Sequence, residues 1–128
     1  QKEVADRIVA APGQSAYGRL AVLTQAVCAA EVVMRLPPGA FSPPPEVDSA
    51  LVRLEPLAHP FARLDTLEAL TAAAFGQRRK MLRASLKRLG PDVLAMLEPC
   101  GIPPTARAEE IPVSKFLALA ARIAKLRV

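Results

Sequence analysis

The chain has 128 residues, 52% of them hydrophobic, and a net charge of +5, enough for one domain with its own core and too short for two ordinary ones. Its longest apolar runs, such as Val32-Val33-Met34, span a few residues, far short of the roughly 20 that a membrane helix needs. No basic leader followed by an apolar stretch and a small-residue cleavage site occurs within these residues.

The charge is uneven. Residues 1 to 56 hold five basic and six acidic side chains, whereas residues 57 to 128 hold twelve basic and six acidic. The second half therefore carries the whole excess and is the part suited to a polyanion. Cys28 and Cys100 lie 72 positions apart and fit neither a metal knuckle nor a disulfide framework, so both read as reduced core thiols. The first residue is Gln1, which runs straight into a helical pattern, as expected of the later part of something longer.

In residues 2 to 11, Val4, Ile8 and Ala11 recur at helical spacing, and Pro12-Gly13 ends the helix. Ser15 is placed to cap a second helix, with Leu20, Leu23 and Val27 as its apolar stripe, running to about Cys28. Strands are expected at Glu31 to Leu36, with its paired valines, and at Val47 to Leu54. Apolar groups on both sides of the second strand predict cover on both faces. The connection between them contains five prolines and is too long for a tight hairpin, which makes it a stiff, shaped loop.

From Phe61 onward the period is helical throughout. Asp65 and Glu68 have capping-box spacing ahead of Leu67, Leu70, Ala74 and Phe75. After Gly76, the spacing of Leu82, Leu86 and Leu89 predicts one helix from Gln77 to Leu89, stopped by Gly90-Pro91. A short helix follows over Val93 to Leu97, then a turn over Thr105 to Glu110. A last helix runs from Val113 to Arg127, burying Phe116, Ala120, Ile123 and Ala124 and turning Lys115, Arg122 and Lys125 outward.

The strongest charge feature is residues 76 to 90, GQRRKMLRASLKRLG, with six basic side chains and no acid. On one helix, Arg79, Arg83 and Lys87 would align at i, i+4, i+8, flanked by Arg78, Lys80 and Arg88. Like charges at that spacing repel, so contact with phosphates is favoured over a merely solvated face. Phe41 stands in the proline loop just before Ser42-Pro43-Pro44-Pro45. Two readings of it stay open from the residues alone. Stacking on an extruded base is one, and anchoring the loop in the core is the other and commoner one.

Other candidates are weaker. His59 has no ligand partner at suitable spacing, and Glu109 and Glu110 are adjacent, so on a helix they do not face each other as an acid-base pair. Neither Ser85 nor Ser114 has a histidine nearby in sequence to activate it. There is no glycine-rich phosphate loop.

Several segments together, Gln1-Lys2-Glu3-Val4-Ala5-Asp6-Arg7, Ala16-Tyr17-Gly18-Arg19-Leu20, Pro37 through Ala50 (PPGAFSPPPEVDSA) and Phe75-Gly76-Gln77-Arg78-Arg79-Lys80, resemble the ribosomal RNA adenine dimethyltransferases, the KsgA-type enzymes of the small ribosomal subunit. The resemblance extends from Gln1 to about Ala121. It implies an S-adenosylmethionine-dependent enzyme that dimethylates two adjacent adenines at N6 near the 3′ end of 16S rRNA in the immature small subunit, in the cytoplasm. It also implies an α+β, mostly α fold: the last helices and antiparallel strand pair of a Rossmann-like methyltransferase sheet (residues 1 to 56), a linker (57 to 61) and a small all-helical rRNA-binding domain (62 to 128).

The cofactor loop, the acidic ribose ligand and the Asn-Leu-Pro-Tyr motif of that family would all precede Gln1, so the S-adenosylmethionine site is expected outside these residues and the chain alone is expected to be inactive. By the same resemblance Phe41 would form one wall of the target-adenine pocket, and Arg78, Arg79 and Lys80 would belong to an rRNA-facing basic patch with Arg83, Lys87 and Arg88. Glu46 stands where the family usually has a lysine, and Pro112 where a Ser or Thr often caps the last helix. The competing expectations are a non-enzymatic rRNA-binding assembly module and the related large-subunit methyltransferase. Strand faces separated from their sheet would favour self-association or a covering partner chain.

Overall fold

The computed structural model describes residues 1–127. Helix α1 (Lys2–Val9) places Ala5 in the core, while the exposed pairs Glu3–Arg7 (2.7 Å) and Lys2–Asp6 (3.2 Å) join successive turns on its outer side. The Lys2 ammonium holds the Asp6 carboxyl below its usual range. The helix stops two residues sooner than its apolar pattern suggests, because the Gln25 amide donates to Ile8 O (2.9 Å) and Ala10 O (3.0 Å) and takes up the free carbonyls of its end.

Helix α2 (Arg19–Gln25) begins three residues later than a Ser15 cap would place it. Residues 15 to 18 are instead committed to seating Tyr17, which is fully buried and donates its hydroxyl to Ile111 O at 2.6 Å. That shift turns the helix. Ala21 and Val22 are buried, and Leu20, expected on the core stripe, is exposed.

Strands β1 (Cys28–Leu36) and β2 (Ser49–Pro56) pair antiparallel from Cys28↔Pro56 to Leu36↔Ser49, with a bulge at Val33. β1 starts three residues before the expected boundary. Helices α1 and α2 pack on one face of the pair. Val33, Leu51 and Leu54 are exposed, so the expected cover on both faces is not met within the described residues. The bulge explains part of the mixed pattern of β1, since it shifts the alternation after Val33.

Residues 57 to 61 fold back on the end of α2, with Leu57 N–H donating to Val27 O and Phe61 N–H to Ala26 O. Helix α3 (Leu64–Gly76) then buries Leu67, Leu70, Thr71, Ala73 and Ala74. The expected capping box does not form: Asp65 already lies in the first turn and binds the Arg63 guanidinium (3.2 Å), which holds its carboxyl below the usual range. Helix α6 (Val113–Leu126) packs across α3, burying Phe116, Ala120, Ile123 and Ala124 as its spacing predicts. Pro112 sits at its N-cap, where no intrahelical N–H is lost.

One expected element is corrected. Residues 77 to 89 do not form a single helix: a turn follows Gly76, Met81 is extended and bridges to Arg107, α4 is only Leu82–Ser85, and a 3-10 turn covers Lys87–Leu89. The reason is tertiary. Leu82 N–H donates to Ala106 O (2.8 Å) and Arg83 N–H to Pro104 O (3.0 Å), bonds that a continuous helix would have to give up. Leu82 and Leu86 are nevertheless buried, as the leucine spacing requires. Helix α5 (Pro91–Ala95) opens with Pro91 in its first turn.

The core is continuous from Ala10, Tyr17 and Val22 through Leu67 and Leu82 to Phe116 and Ile123. The partly buried Phe75 packs against it between Tyr17 (6.0 Å between ring centroids) and Phe116 (5.6 Å). The two cysteines are free and half-buried.

Candidate nucleic-acid interface

The broken helix decides where the six basic side chains go. Arg78 leaves the end of α3 beside the Phe75 ring, 5.9 Å from its centroid, and turns inward. Its Nη2 donates to Tyr17 O (2.6 Å) and Ser15 O (3.3 Å) and lies 3.6 Å from Glu109 Oε2. Expected among the phosphate contacts, Arg78 is in fact a clamp that joins the segment before α2 to the turn before α6. Glu109, excluded above as half of an acid-base pair, is its counterion. Burial pushes the Tyr17 phenol up to about 12, which keeps it a neutral donor beside this cation.

The other five cations, Arg79, Lys80, Arg83, Lys87 and Arg88, are exposed, and among the described residues none pairs with a carboxylate. Two groups result. Lys80, Lys87 and Arg88 stand around a cleft of about 630 Å³ between the end of α3 and α4, whose lining also includes Gln77 and Ser85. Arg79 and Arg83 lie outside that lining. The alignment of Arg79, Arg83 and Lys87 along one helix face does not occur, because Met81 interrupts the helix between them. Field lines concentrate in a concave site walled by low-dielectric protein, so the cleft attracts anions more strongly than a convex row of the same charges.

Phe41 follows a 3-10 turn at Pro38–Ala40 at the end of the hairpin, and its N–H donates to Pro38 O at 3.2 Å. Phe41 is 42% exposed and lies outside the core, so it does not anchor the loop there. Glu46 lines a second groove beside Glu3, Asp6 and Asp48, a carboxylate-rich surface unsuited to phosphates. His59 is exposed, and no group of His, Cys, Asp and Glu able to hold a metal occurs among the described residues. No helix among them is long and apolar enough to cross a membrane.

The basic cleft does not fit S-adenosylmethionine: it is rimmed by Lys80, Lys87 and Arg88, which would repel a sulfonium cation, and no described carboxylate lines it to take a ribose. Sequence reasoning found all five free cations. It missed the inward turn of Arg78 and the place of Ser85 in the cleft. Neither had a local signal: Tyr17, which accepts from Arg78, is 61 positions away, and the burial of Ser85 follows from the break at Met81.

A two-stranded antiparallel sheet with a mainly helical remainder and an unpaired cationic cleft defines an α+β protein suited to a polyanion. The fold matches a crystal structure of a dimethyladenosine transferase from Plasmodium falciparum with a TM-score of 0.81 and 28% identity, over 100% of this chain and 56% of that one. A second solved structure, the 23S rRNA methyltransferase ErmE, aligns with a TM-score of 0.64 and 29% identity, over 97% of this chain and 52% of that one. The chain belongs to the ribosomal RNA adenine dimethylase family, whose model matches residues 1–125.

Among its relatives, ribosomal RNA small subunit methyltransferase A of Phenylobacterium zucineum is 62% identical over 122 residues, covering 94% of this chain and 42% of that protein. The protein of the same name from Cereibacter sphaeroides is 57% identical over 127 residues, covering 97% and 45%. The chain thus spans less than half the length of these relatives.

Proposed function

We propose that the chain is the carboxy-terminal part of an S-adenosylmethionine-dependent rRNA adenine N6,N6-dimethyltransferase. Its substrate would be two adjacent adenines near the 3′ end of 16S rRNA in the immature small subunit, and its compartment the cytoplasm. In this reading residues 1 to 56 complete a Rossmann-like methyltransferase sheet, residues 57 to 61 link, and residues 62 to 128 face rRNA. The exposed strand faces of β1 and β2 would be covered by the remainder of that sheet.

What carries the reading is that a chain matched to this family over residues 1–125 presents five exposed cations, Arg79 to Arg88, without an acid between them. Phosphate contacts of this kind register an enzyme on its RNA without reading sequence. Phe41, already outside the core, would stack on the extruded adenine and offset part of the cost of flipping it, a few kcal/mol. The enzyme's contribution would then be chiefly position. A non-enzymatic assembly module has no observation in its favour, since the relatives carry methyltransferase names.

The test uses the protein that carries this chain together with its cofactor-binding part, on small subunits lacking the modification. Dimethylation should map to the paired adenines by primer extension. Phe41→Ala should lower methyl transfer at saturating subunit by about tenfold or more while leaving subunit affinity within about twofold, as loss of one stacking contact of about 1–3 kcal/mol predicts. Modification mapping to large-subunit rRNA, or an equal fall in binding and transfer, would overturn the assignment of substrate or of Phe41 respectively.

A further inference from the structure

We propose that the cleft between the end of α3 and α4 seats one phosphodiester group of the bound RNA, with the Ser85 hydroxyl donating to it and Lys80, Lys87 and Arg88 supplying the charge. The proposal rests on the RNA-facing reading above and names the position at which a single phosphate is held.

The cleft has about 630 Å³, within the range of small-ligand sites. Ala73 and Ser85, each 3% exposed, form its floor, and the exposed Lys80, Lys87 and Arg88 form its rim. Alanines at 72, 73 and 84 leave the space between the two elements open. No described acid lines it. The three full positive charges outweigh the partial negative charge of the α3 end at Gly76.

Ser85 is the independent observation. Its N–H donates to Met81 O at 3.0 Å, but its buried Oγ has no hydrogen-bond partner among the described residues. Buried hydroxyls are normally partnered, and this fold does satisfy the two others: the Tyr17 hydroxyl donates to Ile111 O at 2.6 Å and Thr71 Oγ1 to Leu67 O at 2.8 Å. An unpartnered hydroxyl on a residue that lines a cationic cleft is a donor suited to an anionic oxygen that reaches it. Ser85 has no role as a nucleophile here, since the only histidine, His59, is outside the cleft lining.

The experiment measures binding of the full chain to a fluorescent single-stranded RNA oligonucleotide by anisotropy across a salt series, with thermal melts alongside. Ser85→Ala should weaken binding about tenfold, the effect of one hydrogen bond to a charged group, with a melting temperature unchanged or raised because an unpartnered polar atom leaves the core. Lys87→Gln, at an exposed position, should lower the log–log salt slope by about 0.7, one phosphate contact on a single strand. Replacing phosphates by neutral methylphosphonates should narrow the gap between the original chain and Ser85→Ala.

If Ser85→Ala and Lys87→Gln bind as the original chain does while Arg79→Gln weakens binding, the cleft is not the seat and the RNA reading stands. If the chain binds no RNA at all, that reading falls and the cleft proposal with it. Competition by inorganic phosphate or adenosine monophosphate at lower concentration than the RNA would also overturn the proposal, because the seat would then belong to a free anion.

Discussion

Arg78→Gln separates the clamp from the exposed cations proposed to face RNA. The bond from Arg78 Nη2 to Tyr17 O is short, at 2.6 Å, and part-buried. A hydrogen bond from a charged donor contributes about 1.5–3 kcal/mol. The pair with Glu109 is more than a third exposed on both sides, 37% and 35%, so solvent holds its contribution to about 0.5 kcal/mol or less, and the Phe75 contact adds about 0.5–1 kcal/mol.

These terms share one side chain and do not add in full, so the substitution should cost about 2–3 kcal/mol, or about 10 °C in melting temperature for a chain of this size. Arg79→Gln, one residue on and exposed without a carboxylate partner, should change stability by no more than about 0.5 kcal/mol. The RNA assay should show the reverse. Below the melting transition, Arg78→Gln keeps the salt slope, and Arg79→Gln lowers it by about 0.7. An Arg78→Gln protein that melts like the original and loses a phosphate contact would refute the clamp.

Two further outcomes follow from positions with a defined strain or charge. Tyr17 is the only tyrosine, so an ultraviolet titration reads it alone, and its phenol should ionise near 12. Above about pH 10 the unfolded chain releases a proton that the folded chain keeps, so stability should fall by about 1.4 kcal/mol per pH unit up to about pH 12. Denaturant melts should show that this increment of alkaline loss is missing from Tyr17→Phe, which in turn should be about 1 kcal/mol less stable at neutral pH for want of the bond to Ile111 O. Gly90 has φ of +107°, and a Cβ there would lie 2.6 Å from Asp92 Oδ1, a carboxylate paired with Arg127 at 3.2 Å. Gly90→Ala should therefore cost about 2 kcal/mol, and a thermal melt unchanged within error would show that the turn relaxes freely.

Features that depend on nearby residues were legible in the sequence. The period of Phe116, Ala120, Ile123 and Ala124 gave both the last helix and its buried face, and Gly90-Pro91 marked a true stop. The proline loop was recognisable from composition, and the excess charge of the second half pointed to the surface that remains unpaired. What escaped was set by distant partners. Leu20 read as a core residue until the demand of Tyr17 for the Ile111 carbonyl delayed α2 and rotated it. Residues 77 to 89 carried a sound leucine spacing, and only the carbonyls of Pro104 and Ala106, more than twenty positions later, drew the chain out of the helix at Met81. Asp65 and Glu68 had the right spacing for a cap but the wrong start, because the helix had already begun at Leu64.

The break at Met81 is also what gives the basic segment a shape. On a continuous helix the six cations would sit on a convex cylinder, repelling one another at successive turns and offering a ligand only one side of each charge. With the break, Arg78 is withdrawn to hold Tyr17 and Glu109, and Lys80 comes to face Lys87 and Arg88 across a cleft floored by Ser85. The same three charges then converge on one volume, where water is partly displaced and their attraction for a phosphate is less screened. Relaxing that break should therefore weaken RNA binding with every cation still present. Ala106→Pro leaves Ala106 O in place but removes its N–H, which donates to Pro103 O at 3.0 Å, and so loosens the segment that pulls Leu82 out of the helix. If the folded variant kept its full RNA affinity, the charges alone, rather than their convergence, would account for binding.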